Sequence, residues 1–258
     1  TARSVLREEM GLEPAPETKA QLAKLMSSMP ASTNLPLLPD PLIGRASEEA
    51  ALVEMIARGR LVTLLGPGGI GKSGLALAVG RQRLADYDDG VWFVNLAGVQ
   101  GAEGLYGAIG ATLEIEFHGS SPLLEQLCLA LAQEERLLIM DNFEHLATVG
   151  EGLLALLEAA PRLRLLVTSR VRLSLPAERT LLLGGLAPDA GLALFERHAR
   201  RVSPGYSLSE EECTAVDRIH RLVDGLPLGI ELAAIWIEHY ACSEIADSIA
   251  VTRMFLDS

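Results

Sequence analysis

Residues 66–73 read Gly66-Pro67-Gly68-Gly69-Ile70-Gly71-Lys72-Ser73, a full match to the pattern G-x-x-x-x-G-K-[ST]. The chemistry this spacing suits is the holding of phosphate groups. Glycines let backbone N–H groups curl around an anion with no Cβ in the way. A helix starting at the end of the loop adds its partial positive charge. Lys72 would reach the β- and γ-phosphates, and the Ser73 hydroxyl would hold Mg²⁺. Gly66, Gly68, Gly69, Ile70, Gly71, Lys72, Ser73 and Gly74 are therefore the candidate phosphate-binding residues, with Lys72 expected to face solvent from a loop. The plainer alternative is a glycine turn between a strand and a helix. The flanks favour phosphate: Leu61 to Leu65 are apolar and β-compatible, and Leu75 to Val79 suit a helix.

A second apolar run, Leu137-Leu138-Ile139-Met140-Asp141, ends in a carboxylate. Phosphoryl chemistry needs an acid near Mg²⁺, and Asp141 is placed to order the metal's water shell. Alone it could as well cap a loop after a strand. Its neighbour Asn142 cannot act as a general base, so Glu144 is the nearest acid able to orient water, with a plain surface Glu as the alternative. Binding is thus better supported than hydrolysis. His145 reads as a structural hydrogen-bonding residue. A third run, Leu163 to Arg170, ends in a hydroxyl and a guanidinium, and Arg170 could face the γ-phosphate, since arginine pairs bidentately with phosphate oxygens. A surface arginine is the alternative.

These groups need a frame. Strands are expected near 61–66, 90–96, 136–141, 163–169 and 179–183, and helices near 46–58, 71–86, 102–114, 121–134 and 149–160. Such alternation predicts an α/β fold, a parallel sheet with helices on both faces, whose ligands bind at the carboxyl ends of the strands. After Gly184 the strand pattern stops, and 188–202, 209–223, 227–239 and 243–250 predict a small helical subdomain. Within it, Gly225 is expected at the C′ position of one helix and Pro227 in the first turn of the next. Upstream, Glu17 to Met29 reads as a helix with Leu22, Leu25, Met26 and Met29 on one face. Four prolines between Pro30 and Pro41 then read as an extended linker.

Composition narrows the class. A chain of 258 residues that is 49 % hydrophobic is globular, not disordered. Its three cysteines, Cys128, Cys213 and Cys242, are scattered, which argues against a disulfide framework or zinc site and for a reducing compartment. No apolar run reaches the roughly 18 residues of a membrane span, so a cytoplasmic location with no membrane partner is expected. A net charge of −12 makes this piece a poor general binder of nucleic acid. Thr1 and Ser258 both look like cuts in a longer protein.

Taken in order, the motifs resemble the NB-ARC class of STAND ATPases, signal-transduction switches of the wider AAA+ group. Leu42-Ile43-Gly44-Arg45 is similar to the entry motif that contacts the adenine end, with Ala46 where the family usually has Glu. Gly66 to Ser73 matches the Walker A loop, Leu137 to Leu146 the Walker B form of bacterial regulators, and Val167 to Arg170 the sensor strand. Leu186, Ala190, Leu194 and Phe195 resemble the opening of the helical subdomain, and Gly225-Leu226-Pro227-Leu228 the GLPL motif, whose proline packs on the base. Gly11 to Met26 resembles the closing helix of the bacterial transcriptional activation domain that precedes the ATPase in antibiotic-regulatory-type activators.

The resemblance implies an AAA+-like P-loop NTPase that takes ATP or ADP with Mg²⁺. Ser73 and Asp141 would lie on the metal side, Lys72, Asp141, Glu144 and Arg170 would be the catalytic set, and Ile43, Gly44, Arg45, Pro227 and Leu228 would touch the nucleotide. It implies 1–29 as the end of an upstream domain, 30–41 as linker, 42–185 as nucleotide-binding domain and 186–258 as a truncated ARC1-like subdomain. The expected role is the switch module of a bacterial transcriptional regulator, hydrolysing ATP slowly as it changes shape and self-associates, and touching DNA only through other domains. The alternatives are a helicase- or kinase-like enzyme with steady turnover, and a nucleotide-bound scaffold that never hydrolyses. Because the family's next domain contributes a His to the β-phosphate, the piece ending at Ser258 is expected to exchange nucleotide readily and to be mainly monomeric.

Overall fold

A computed structural model describes residues 33–38 and 40–256. The helix expected over 17–29, and with it the upstream segment 1–29, lies outside the described residues. The first part of the chain alternates: α1 (Ala46–Arg58), β1 (Leu61–Leu65), α2 (Lys72–Gln82), β2 (Val91–Asn95), α3 (Gly101–Thr112), α4 (Leu123–Leu131), β3 (Leu137–Asp141), α5 (Glu151–Ala159), β4 (Arg164–Ser169) and β5 (Glu178–Leu182). Then α6 (Pro188–Val202), α7 (Glu210–Leu222), α8 (Pro227–Ile235) and α9 (Cys242–Leu256) follow, with no further strand among the described residues. Each expected strand is present, its ends displaced by one residue at most.

The helix ends differ more. The expected helices over 71–86 and 227–239 are α only to Gln82 and Ile235, each followed by a 3₁₀ turn, Leu84–Asp86 and Trp236–Glu238. Such tighter turns commonly finish helices whose last carbonyls lack i+4 donors. The segment after β3, Phe143–Val149, is itself a 3₁₀ helix, and α9 runs past 250 to Leu256.

The sheet order is β2-β3-β4-β1-β5, every neighbouring pair parallel. All five residues of β1 and of β3 are buried, whereas the edge strands β2 and β5 are partly open. A strand covered on both faces has no polar side to show, hence runs that are apolar but for Thr63 and the terminal Asp141. Alternate residues serve the two faces. Leu138, Met140, Leu165 and Val167 pack with α3, α4 and α5, while Leu137, Ile139, Val62, Leu64 and Leu166 pack with α1 and α2. The helical part has its own core around Phe195, Ile219 and Ile230.

The described residues of the proline-rich stretch are docked on the sheet. Thr33 pairs in parallel with Val91, and the Asn34 side chain both donates to Phe93 O (2.9 Å) and accepts from Phe93 N–H (2.6 Å). The open edge of β2 is thereby covered, which is how sheets avoid pairing with other chains. Further on, Arg81 donates to Leu35 O, Arg197 donates to Pro41 O (2.7 Å), and Arg201 pairs with Asp40.

One local expectation is corrected. Gly225 is not the C′ residue of α7. Asp224 (φ 51°) takes that left-handed position, and its N–H reaches Arg221 O while the Gly225 N–H reaches His220 O, a Schellman motif. Gly225 sits one place later, where a Cβ would stand 2.7 Å from Leu186 O. Pro227 opens α8 as expected.

Candidate functional site

The chain order β1, then β2 at the far edge, then back through β3 and β4 to lie beside β1, makes a topological switch at the β1–β4 boundary. There the carboxyl ends of β1, β3 and β4 stand side by side, with Leu65 opposite Ser169 and Met140 opposite Val167. Ligands bind at this place in open α/β sheets. The glycine loop leaves β1, and its last residue before the helix, Gly71 (φ 95°), caps α2.

Lys72 is the first residue of α2 and is half-buried, not a solvent-facing loop residue as the sequence suggested. Its ammonium donates to Gly66 O (2.9 Å) and Pro67 O (3.0 Å), because a long side chain leaving the first turn of α2 can reach back over the loop. Burial pushes its pKa below the ordinary 10.5; the charge of Glu144 opposes that fall, Arg170 adds to it, and Asp141 opposes it.

Asp141 is buried at the end of β3. The Ser73 hydroxyl donates to its Oδ1 at 2.6 Å, and the Thr168 hydroxyl donates to the same oxygen at 2.6 Å. Thr168 Oγ1 also accepts the Asn142 N–H at 3.1 Å. Thr168 was absent from the sequence-derived set. Its signal was a hydroxyl two residues before Arg170, directly after the apolar run Leu165-Leu166-Val167, and it is fully buried. Asn142 adopts a left-handed conformation (φ 64°), which turns the chain sharply away from β3.

That turn delivers Glu144 to Arg170, whose Nε lies 3.1 Å from Glu144 Oε1. Arg170 also approaches the loop: a Cβ built on Gly68 would lie 3.2 Å from its Nη2. His145 turns elsewhere. Its Nε2 hydrogen bonds with Val99 O at 2.7 Å, tying this segment to the β2–α3 connection in the structural manner expected.

The entry motif reaches the loop from the other side. Ile43 packs on the helical core, and Gly44 lies so close to α6 that a Cβ would stand 2.3 Å from Ala190 Cβ. Arg45 is buried and donates to Ile70 O (3.2 Å) and Gly184 O (2.8 Å) while pairing with Glu48 at 2.6 Å. Its guanidinium thus ties the entry motif to the loop and to the glycine pair before α6. Gly74 faces Leu42. Leu228, next to Pro227 in the first turn of α8, stands over the loop as well: its N–H donates to Gly69 O at 3.2 Å. Gly69 has φ +76°, and a Cβ there would lie 2.7 Å from Leu228 Cβ.

The donor set fits a hard dication. One carboxylate and one hydroxyl converge at Asp141 and Ser73, and Mg²⁺ commonly takes one or two carboxylates and completes its shell with substrate phosphates and water. Among the described residues no group of three or more His, Cys, Asp or Glu could hold a metal by itself. No described helix is long and apolar enough to cross a membrane.

Comparison with known proteins agrees with the geometry. The profile of a family described as an AAA domain matches residues 56–179. A protein of Mycobacterium tuberculosis (strain H37Rv) provisionally named an HTH-type transcriptional regulator is 33 % identical over 198 residues, which is 76 % of this chain and 22 % of that protein. A second M. tuberculosis protein, whose name assigns no role, is 32 % identical over 194 residues, 74 % of this chain and 49 % of its own length. The chain therefore spans less than half the length of these relatives. Among solved structures, the Walker-type ATPase of Pyrococcus abyssi superposes with a TM-score of 0.60 at 16 % identity, covering 90 % of this chain and 77 % of that one. A STAND protein with a tetratricopeptide repeat sensor from Pyrococcus horikoshii gives 0.56 at 17 % identity, covering 86 % and 34 %. The fold is that of an AAA-type P-loop NTPase with a helical C-terminal part.

Proposed function

We propose that this chain is the nucleotide switch of a longer regulator, binding ADP or ATP with Mg²⁺ and hydrolysing ATP slowly as its helical part changes position. The observation that carries this reading is the hydrogen bond from the Leu228 N–H to Gly69 O. A helix of the C-terminal part rests on the phosphate loop itself. An element that touches the loop can respond to what the loop holds, and an equilibrium shifts only by differential affinity for its states.

On this reading the loop N–H groups and Lys72 bind the phosphates. Ser73 and Asp141 would hold Mg²⁺, which would supply positive charge beside the phosphoryl oxygens. Thr168 fixes the Asp141 carboxylate, and Ile43 and Gly44 border the base. ADP favours the form with α8 on the loop, and ATP favours an open form that self-associates. DNA is reached through other domains. The HTH-type name of one relative supports placing the switch in a transcriptional regulator.

The test is nucleotide content and calorimetric ADP and ATP binding on the purified chain, followed by single-turnover hydrolysis. The switch reading expects turnover well below the enzyme median of about 10 s⁻¹. Turnover at that median points instead to a housekeeping enzyme. Binding without any hydrolysis points to a scaffold, a reading that Asn142 beside Asp141 favours because that position offers no general base.

A further inference from the structure

Glu144 stands among the cations expected to meet a third phosphate. Its Oε1 lies 3.1 Å from Arg170 Nε, while its Oε2 is shut from solvent with no hydrogen-bond partner among the described residues. Arg170 lies against the loop at Gly68. The charge of Glu144 also reaches Lys72, opposing the fall that burial causes in its pKa.

We propose that Glu144 is an internal stand-in for the γ-phosphate, a carboxylate that holds Arg170 until a triphosphate displaces it, so that Glu144 sets the preference between di- and triphosphate. The proposal rests on the nucleotide-site reading above. A diphosphate can enter and leave the Glu144–Arg170 pair intact. A triphosphate brings a second anion toward the same guanidinium, and two anions competing for one cation repel. Discrimination by an unfavourable element built against one ligand is a general route to specificity. The latch is also built to break. A buried acceptor without a donor is costly, so the unpartnered Oε2 keeps this arrangement from becoming a deep resting state. Glu144 is in this role a specificity determinant, acting through Arg170 and not through the attacking water.

The test is calorimetric binding of ADP and of a non-hydrolysable ATP analogue, both with Mg²⁺, to the wild-type chain, Glu144→Gln, Arg170→Met and the double variant. Gln keeps the size of Glu and removes its charge. The ratio of ADP Kd to analogue Kd is expected to rise about tenfold in Glu144→Gln, the size of one close charge coupling. In the Arg170→Met background the same substitution is expected to move the ratio by less than about twofold, because the latch has lost its partner. A ratio unmoved by Glu144→Gln overturns the proposal, and so does an equal rise in both backgrounds, which shows simple repulsion without a latch. If the wild-type chain binds neither nucleotide, the site reading itself falls; if it binds ADP and the ratio stays fixed, only the latch does.

Discussion

Ser73 and Asp141, 68 residues apart in sequence, share a hydrogen bond of 2.6 Å across the gap between α2 and β3. The two groups that could hold a hard dication are thus already in register before any ligand arrives. Asp141→Asn keeps an oxygen for Ser73 and Thr168 but removes the negative charge. The expected result is that Mg²⁺ no longer strengthens ATP binding: the ratio of Kd values without and with millimolar Mg²⁺, measured by calorimetry, falls to near one. A ratio as large as that of the wild-type chain would place the metal elsewhere.

Thr168 is the buttress of that carboxylate. Thr168→Val has nearly the same shape but takes a donor from Asp141 Oδ1 and an acceptor from the Asn142 N–H. Leaving a buried polar group unpaired costs about 1–3 kcal/mol. The urea midpoint should fall accordingly with an unchanged slope, and Thr168→Ser, which keeps the hydroxyl, should recover most of the loss.

Lys72→Ala is expected to weaken ADP and ATP binding by at least about 100-fold, near 2.7 kcal/mol, while the chain still folds. The folded state tolerates the loss because the ammonium's partners are two backbone carbonyls and no hydrophobic core residue. Calorimetry on the variant decides it, and undiminished affinity would remove the phosphate role from the loop.

Much of this architecture was legible from local patterns. The strands were readable because β1, β3 and β4 are buried on both faces and are therefore mostly apolar in mid-strand, with Thr63 and Thr168 as the polar exceptions. The loop, Asp141, Glu144 and Arg170 were readable because each stands at the end of such a run or just beyond it. Thr168 was not, because its role depends on β3 lying beside β4, a pairing that neither strand encodes alone. The hydrogen bonds of Arg45 to Ile70 O and Gly184 O were not readable either, because they join residues far apart in the chain. The Gly225 displacement arose because Asp can adopt the left-handed C′ conformation usually left to glycine, so the position of a glycine alone does not fix a helix end.

Acid should reveal the cap of α7. The Ser209 hydroxyl accepts from the Glu212 N–H, and Glu212 Oε2 accepts from the Ser209 N–H at 3.0 Å. That backbone hydrogen bond, helped by the Ser209 and Tyr206 hydroxyls against the opposing effect of burial, holds the Glu212 carboxyl below its ordinary 4.5. With the folded pKa lowered, the unfolded chain binds the proton more readily. The contribution is therefore present above 4.5 and is lost as pH falls through the lowered value. Glu212→Gln is expected to cost about 1 kcal/mol at pH 7, with the gap to wild type closing as pH falls below 4.5 and through the lowered value, as urea unfolding across that range would show.

The contact between Gly69 and Leu228 can be broken from the loop side. A peptide whose N–H turns toward a bound anion points its carbonyl the other way, and at Gly69 that carbonyl receives the Leu228 N–H. Fixing the loop on phosphate would then fix the acceptor that α8 rests on. Gly69→Ala attacks this joint twice. The left-handed φ of +76° is strained for alanine by about 1–2 kcal/mol, and the new methyl would meet Leu228 Cβ at 2.7 Å. Backbone at the loop cannot yield without losing its cradle, so α8 should move away and loosen the Gly184–Leu186 segment that leads into α6. Limited proteolysis should cut near Gly184 and Gly185 several-fold faster in the variant. Leu228→Gly, which removes the clashing carbon, should restore resistance in the double variant if the collision is the cause. Persistent sensitivity there would assign the effect to backbone strain alone, and a single variant as resistant as wild type would mean that α8 is held by its other contacts and not by the loop.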